Sequence, residues 1–108
     1  MPQERGAESV AVRLSGTDTE GEAVVVEVRL GGHAHGLPLH VHPVQEERLQ
    51  VLAGSLLMRV GGSAVTVGPG ERVTVPAGVP HAYSNPAAQV AHFVIETMPA
   101  DGPTIEVA

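Results

Sequence analysis

Between residues 22 and 30 the chain alternates: Val24, Val26, Val28 and Leu30 fall on one side of an extended backbone, Glu27 and Arg29 on the other. A period of two is the mark of a half-buried strand, because successive side chains of an extended chain point to opposite faces. The same pattern predicts strands over 9–14, 39–42, 47–52, 56–60, 65–67, 73–75 and 81–84. In these, Leu49 and Val51, Leu56, Met58 and Val60, and the pairs Val65/Val67 and Val73/Val75 are expected to face inward. Residues 90–98 form the last long strand, but Val90, His92 and Val94 on one side and Ala91, Phe93 and Ile95 on the other are both apolar enough to leave its inner face open.

The breaks between these runs carry turn chemistry. Gly61-Gly62 predicts a two-residue hairpin, and Gly68-Pro69-Gly70 and Pro76-Ala77-Gly78 predict further turns. Residues 15–21 and 31–38 read as loops, 1–8 as a flexible N-terminal arm, and 99–108 as a turn-rich tail in which 104–107 can add an edge strand. No helical period longer than a turn is present. The expectation is one all-β domain over residues 1–108, built of two antiparallel sheets.

Composition narrows the chemistry. With 43% apolar residues, one Tyr, one Phe and no Trp, the core must be made of Val, Leu, Ile and Ala, which suits strands. The absence of Cys removes thiolate chemistry and leaves His and carboxylates as the strong metal ligands. A formal net charge of −6, with all six basic residues Arg, argues against nucleic-acid or anionic-membrane partners. The N-terminus lacks a basic stretch followed by an apolar one, so a cytoplasmic protein is expected.

Parity then picks out a site. His40 and His42 share one side of a short strand, and Glu47 shares a face with Leu49 and Val51. A carboxylate pointing into a Val/Leu core needs a partner. His81 follows the Pro76-Ala77-Gly78 turn, and three imidazoles with one carboxylate suit a divalent transition ion such as Fe, Mn, Ni or Zn, one per chain. Tyr83, in parity with His81, and His92, if its face is the inner one, are the candidate catalytic proton carriers. Gln45 has inward parity and is a candidate for the pocket mouth. Glu46 is expected to face solvent, and His33 and His35 to lie on an exposed loop.

These residues resemble the cupins, a family recognised by the motifs G-x5-H-x-H-x3,4-E-x6-G and G-x5-P-x-G-x2-H-x3-N. His40, His42, Glu47 and Gly54 match the first from its histidines onward, with Ala34 where the leading Gly stands; Gly70, Pro76, Gly78, His81 and Asn85 match every fixed position of the second. The resemblance implies a cupin-type β-barrel, a jelly roll of two antiparallel sheets, with a metal held by His40, His42, Glu47 and His81. It also implies a metal-dependent enzyme, of dioxygenase type, acting on a small substrate. Four Arg on outward faces leave no cation inside to clamp a phosphate or carboxylate, so the substrate is expected to be mainly apolar, with oxygen donors. The alternatives are a redox-neutral isomerase, cyclase or lyase, and a non-catalytic metal- or ligand-binding protein. A homodimer is expected from family habit and from the edge strands of a small barrel.

Overall fold

The computed structural model describes residues 8–14, 21–36, 38–99 and 106–107. Its first sheet contains β1 (Glu8–Leu14), β2 (Val24–Leu30), β5 (Glu46–Ala53), β8 (Arg72–Val75) and β10 (Ala91–Met98), in the order β1-β2-β10-β5-β8. The second contains β3 (Ala34–His35), β4 (His40–Val41), β6 (Leu56–Val60), β7 (Ser63–Val67), β9 (His81–Asn85) and β11 (Glu106–Val107), in the order β11-β4-β9-β6-β7, with β3 also on β9. Every strand pairing is antiparallel. The architecture is the expected cupin-type barrel. Among the described residues no helix is long and apolar enough to cross a membrane.

The sheets meet through the residues that alternation selects. Val28, Leu30, Leu49, Val51, Val75, Ala91, Phe93 and Ile95 from the first sheet pack with Ala34, Leu56, Met58 and Val67 from the second in one buried cluster. Burying each large aliphatic side chain in such a cluster stabilises the fold by about 1.5–3 kcal/mol. Phe93, fully buried, settles the face of β10 that alternation left open: Ala91, Phe93 and Ile95 look inward, His92 and Val94 outward.

Three expectations need correction. Glu8 already pairs with Leu30, so the strand begins one residue inside the expected arm; residues 1–7 and 15–20 lie outside the described residues. The predicted 31–38 loop contains β3, whose Ala34 pairs with Asn85 and whose His35 pairs with Ser84. Val65 is 44% exposed although its neighbour Val67 is buried, because β7 is the edge of its sheet and only its last residue reaches the core. The hairpin at Gly61-Gly62 is confirmed by the pairing of Val60 with Ser63.

The motif residues Gly54 and Asn85 close one end of the barrel. Gly54 takes φ +75, and a Cβ there would lie 2.4 Å from the Val90 carbonyl oxygen, so no other residue fits without a shift. Asn85 is buried; its amide nitrogen lies 3.0, 3.2 and 2.7 Å from the carbonyls of Leu30, Gly31 and Gln89, and its Oδ1 accepts from the Ala87 N–H. Ala34, which replaces the motif glycine, lies in paired extended backbone; among described non-glycine residues only His33 has positive φ.

Candidate metal centre

The two sheets bring four side chains together. His40 on β4 pairs with His81 on β9, which puts both imidazoles on the inner face of the second sheet. His42 follows at the end of β4, and its carbonyl accepts the Gly78 N–H at 2.8 Å, tying the first histidine motif to the turn that precedes His81. Glu47 reaches in from β5 in the opposite sheet, where it pairs with Val75 and Thr97. His40, His42 and His81 are all buried, and each offers a ligand atom within 4.8 Å of the other two. Glu47 completes the group: its Oε1 lies 3.0 Å from His81 Nε2 and its Oε2 3.1 Å from His42 Nε2.

Hydrogen bonds determine which nitrogen of each ring faces this point. His40 Nδ1 lies 2.7 Å from the Pro38 carbonyl and His81 Nδ1 2.9 Å from the Val79 carbonyl. A carbonyl only accepts, so both Nδ1 atoms carry hydrogen. His42 Nδ1 lies 3.1 Å from Gln45 Oε1, while Gln45 Nε2 donates to the Pro99 carbonyl at 2.6 Å. In the neutral rings, therefore, all three Nε2 atoms are lone-pair acceptors, the form in which imidazole binds metals.

That arrangement is electrostatically incomplete without a cation. Two Nε2 lone pairs facing carboxylate oxygens at about 3 Å repel unless a proton or a metal ion stands between them. The proton affinities agree. Burial works to raise the Glu47 pKa, but the His81 hydrogen bond and the His42, His81 and His40 charges outweigh it and hold the carboxyl below its ordinary range. Burial works to lower the His81 pKa, and the hydrogen bonds to Glu47 and Val79 raise it overall. His40 is pushed down by burial despite its bond to Pro38. Three neutral-capable imidazoles and a carboxylate fit a divalent transition ion.

Two contacts were not legible in the motifs. Thr97 Oγ1 donates to Glu47 Oε2 at 3.4 Å, from the inner face of β10 that alternation could not assign. Gln45, expected at a pocket mouth, is instead buried against His42 and Pro99.

The remaining candidates separate. Tyr83 lies on the inner side of β9, with its ring edge-on to Phe93 at 5.2 Å between centroids and so close to Gly36 that a Cβ there would lie 2.2 Å from it. His92 is not brought to the cluster. It sits on the outer face of β10, hydrogen-bonded to Glu27, because the bulkier Phe93 takes the core side, and this corrects its assignment as a pocket base. Glu46 accepts from Arg48 at 2.9 Å outside the cluster, and His33 and His35 are exposed. Arg29, Arg48, Arg59 and Arg72 are all exposed. A groove of about 660 Å³ lies on the outer face of β6 and β9, lined by Leu39, Leu57, Arg59, Ala82 and Ser84 among others, and includes none of the four clustered residues.

Comparison with known proteins agrees with this geometry. The sequence profile of the family described as "Cupin domain" matches residues 24–96. A polyketide cyclase, RemF from Streptomyces resistomycificus, superposes with a TM-score of 0.82 at 24% identity over 99% of this chain and 76% of its own. An uncharacterized conserved protein with a double-stranded beta-helix domain from Klebsiella pneumoniae superposes with a TM-score of 0.82 at 21% identity, over 100% and 89%. A recombinant oxalate oxidase in complex with glycolate gives 0.77 at 23% identity over 94% of this chain, which spans only 55% of that one. These likenesses carry the fold. No curated protein sequence matches the chain.

Proposed function

This chain belongs to the cupin domain family, and from that premise we propose that it is a metal-dependent enzyme of dioxygenase type. One divalent transition ion, Fe, Mn, Ni or Zn, would be held by His40, His42, Glu47 and His81. The observation that carries this reading is the set of three Nδ1 hydrogen bonds, which leave Nε2 free on all three clustered imidazoles and turn those of His42 and His81 toward the Glu47 carboxylate. A bound ion of this kind supplies Lewis acidity and, where it is redox-active, electron transfer.

The protein's own groups set the rest. Glu47 offsets charge at the centre, and Thr97 orients its Oε2. The inner wall of Val, Leu, Met and Phe side chains, with Arg29, Arg48, Arg59 and Arg72 exposed, excludes water and offers no fixed cation from these four to an anionic substrate. The substrate class proposed is therefore a small, mainly apolar molecule with oxygen donors. Tyr83, fixed between Phe93 and Gly36, is the proposed proton donor to it.

A second reading is redox-neutral cyclase, isomerase or lyase chemistry. Its support is the polyketide cyclase, which this chain matches over 76% of that chain's length, against 55% for the oxalate oxidase. Metal analysis of protein from its native host, paired with O₂ consumption on candidate substrates, separates the two. Iron or manganese with substrate-dependent uptake supports the dioxygenase; zinc without uptake removes it. We propose that the chain forms a homodimer, supported by β7 at the edge of its sheet, and sedimentation tests it.

A further inference from the structure

His42 differs from its two partners in what holds its ring. His40 and His81 each donate Nδ1–H to a backbone carbonyl two residues earlier, a support that does not depend on side-chain identity. His42 has instead a side chain, Gln45, at 3.1 Å. Gln45 is 8% exposed, and leaving a buried amide without partners is costly, so both of its ends must be occupied.

They are occupied in only one sense. The Pro99 carbonyl, at the end of β10, is purely an acceptor, so the amide nitrogen must face it at 2.6 Å. This turns Oε1 toward His42. A carbonyl oxygen at that place can only accept, so the His42 proton sits on Nδ1 and its Nε2 lone pair faces Glu47 Oε2. The orientation of one ring in the cluster is thus set by a main-chain carbonyl 54 residues beyond the glutamine.

We propose that Gln45 is a positioning residue of the metal centre: oriented by the Pro99 carbonyl, its amide oxygen fixes the tautomer and tilt of His42 so that Nε2 faces the ion. This deepens the metal-site reading and rests on it, but the tautomer is a property of the metal-free protein and can be read separately. Partners of this kind are worth about 10–100-fold in metal affinity.

The test uses long-range ¹H–¹⁵N spectra of the imidazoles in metal-free protein at about pH 8, where imidazoles are largely neutral, together with Co²⁺ titration. Wild type is expected to carry the His42 proton on Nδ1. Gln45→Leu, which removes both hydrogen bonds, is expected to shift it to Nε2 or to a mixture, and to weaken Co²⁺ binding by about 10–100-fold. Gln45→Glu keeps the acceptor and is expected to keep the Nδ1–H form with a smaller loss. A wild-type proton on Nε2 overturns the proposal even if Gln45→Leu fails to fold. An unchanged tautomer and unchanged Co²⁺ affinity in Gln45→Leu overturn it as well. A tautomer shift in Gln45→Leu with no Co²⁺ binding to any variant upholds the positioning of His42 and sinks the metal centre instead.

Discussion

His81 Nε2 lies 3.0 Å from Glu47 Oε1, and this contact joins the two sheets at the centre of the barrel. One partner comes from β9 and the other from β5, so the pair is both a structural bridge in the metal-free protein and two of the four proposed ligands. In the metal-free protein the raised proton affinity of His81 favours a proton between Nε2 and Oε1, where the ion is proposed to bind.

Replacing Glu47 by Gln removes the carboxylate charge and leaves His81 without an acceptor of equal strength. Hydrogen bonds to charged groups contribute about 1.5–3 kcal/mol, and both side chains are largely buried, so a loss of about 1–2 kcal/mol is expected in urea unfolding of metal-free protein. No loss would mean that the pair is not formed in solution.

The pH dependence of that loss follows from the two shifts. Glu47, held below its ordinary value of 4.5, contributes stability that is present above 4.5 and lost as pH falls through its lowered folded value. His81, raised above 6.5, contributes stability that is full below 6.5 and lost as pH rises through its raised folded value. The stability difference between wild type and Glu47→Gln is therefore expected to peak between 4.5 and 6.5 and to shrink on either side. His40, lowered by burial, loses stability as pH falls below 6.5 in both proteins, so it largely cancels in the difference. Urea midpoints across pH check this; a flat difference would contradict it.

Metal binding must displace the His81 proton. Below the raised His81 value, affinity is expected to rise about tenfold per pH unit, with about one proton released per ion. Calorimetry in buffers of different ionisation enthalpy measures that proton directly; pH-independent affinity across this range would count against His81 as a ligand.

Asn85 belongs to the same sequence motif as His81, but its hydrogen bonds run to Leu30, Gly31, Gln89 and Ala87 rather than to the four clustered residues. Replacing it by Ala removes its bonds to Leu30, Gly31, Gln89 and Ala87 and is expected to cost about 2–4 kcal/mol, with metal stoichiometry unchanged in the folded fraction. Thermal unfolding and metal analysis on one sample separate the two roles.

The site was legible where the chain alternates cleanly. Glu47 shares a face with Leu49 and Val51, which the structure buries, so its inward direction followed from parity alone. The inner face of β10 was hidden because both of its sides are apolar, and Thr97 and His92 were misjudged or missed with it. What decides that strand is non-local: Phe93 packs into the core, and His92 meets Glu27 65 residues away. The Gln45 contact was hidden for the same reason, since its second partner, Pro99, lies 54 residues along the chain.

Convergence of His40, His42, Glu47 and His81 on one ion is read by the X-ray absorption spectrum of the metal-loaded protein. About three imidazole nitrogens near 2.0–2.2 Å are expected together with carboxylate oxygen, with the loss of one imidazole in His81→Ala. A loaded spectrum without imidazole scattering, or one that His81→Ala leaves unchanged, would contradict it.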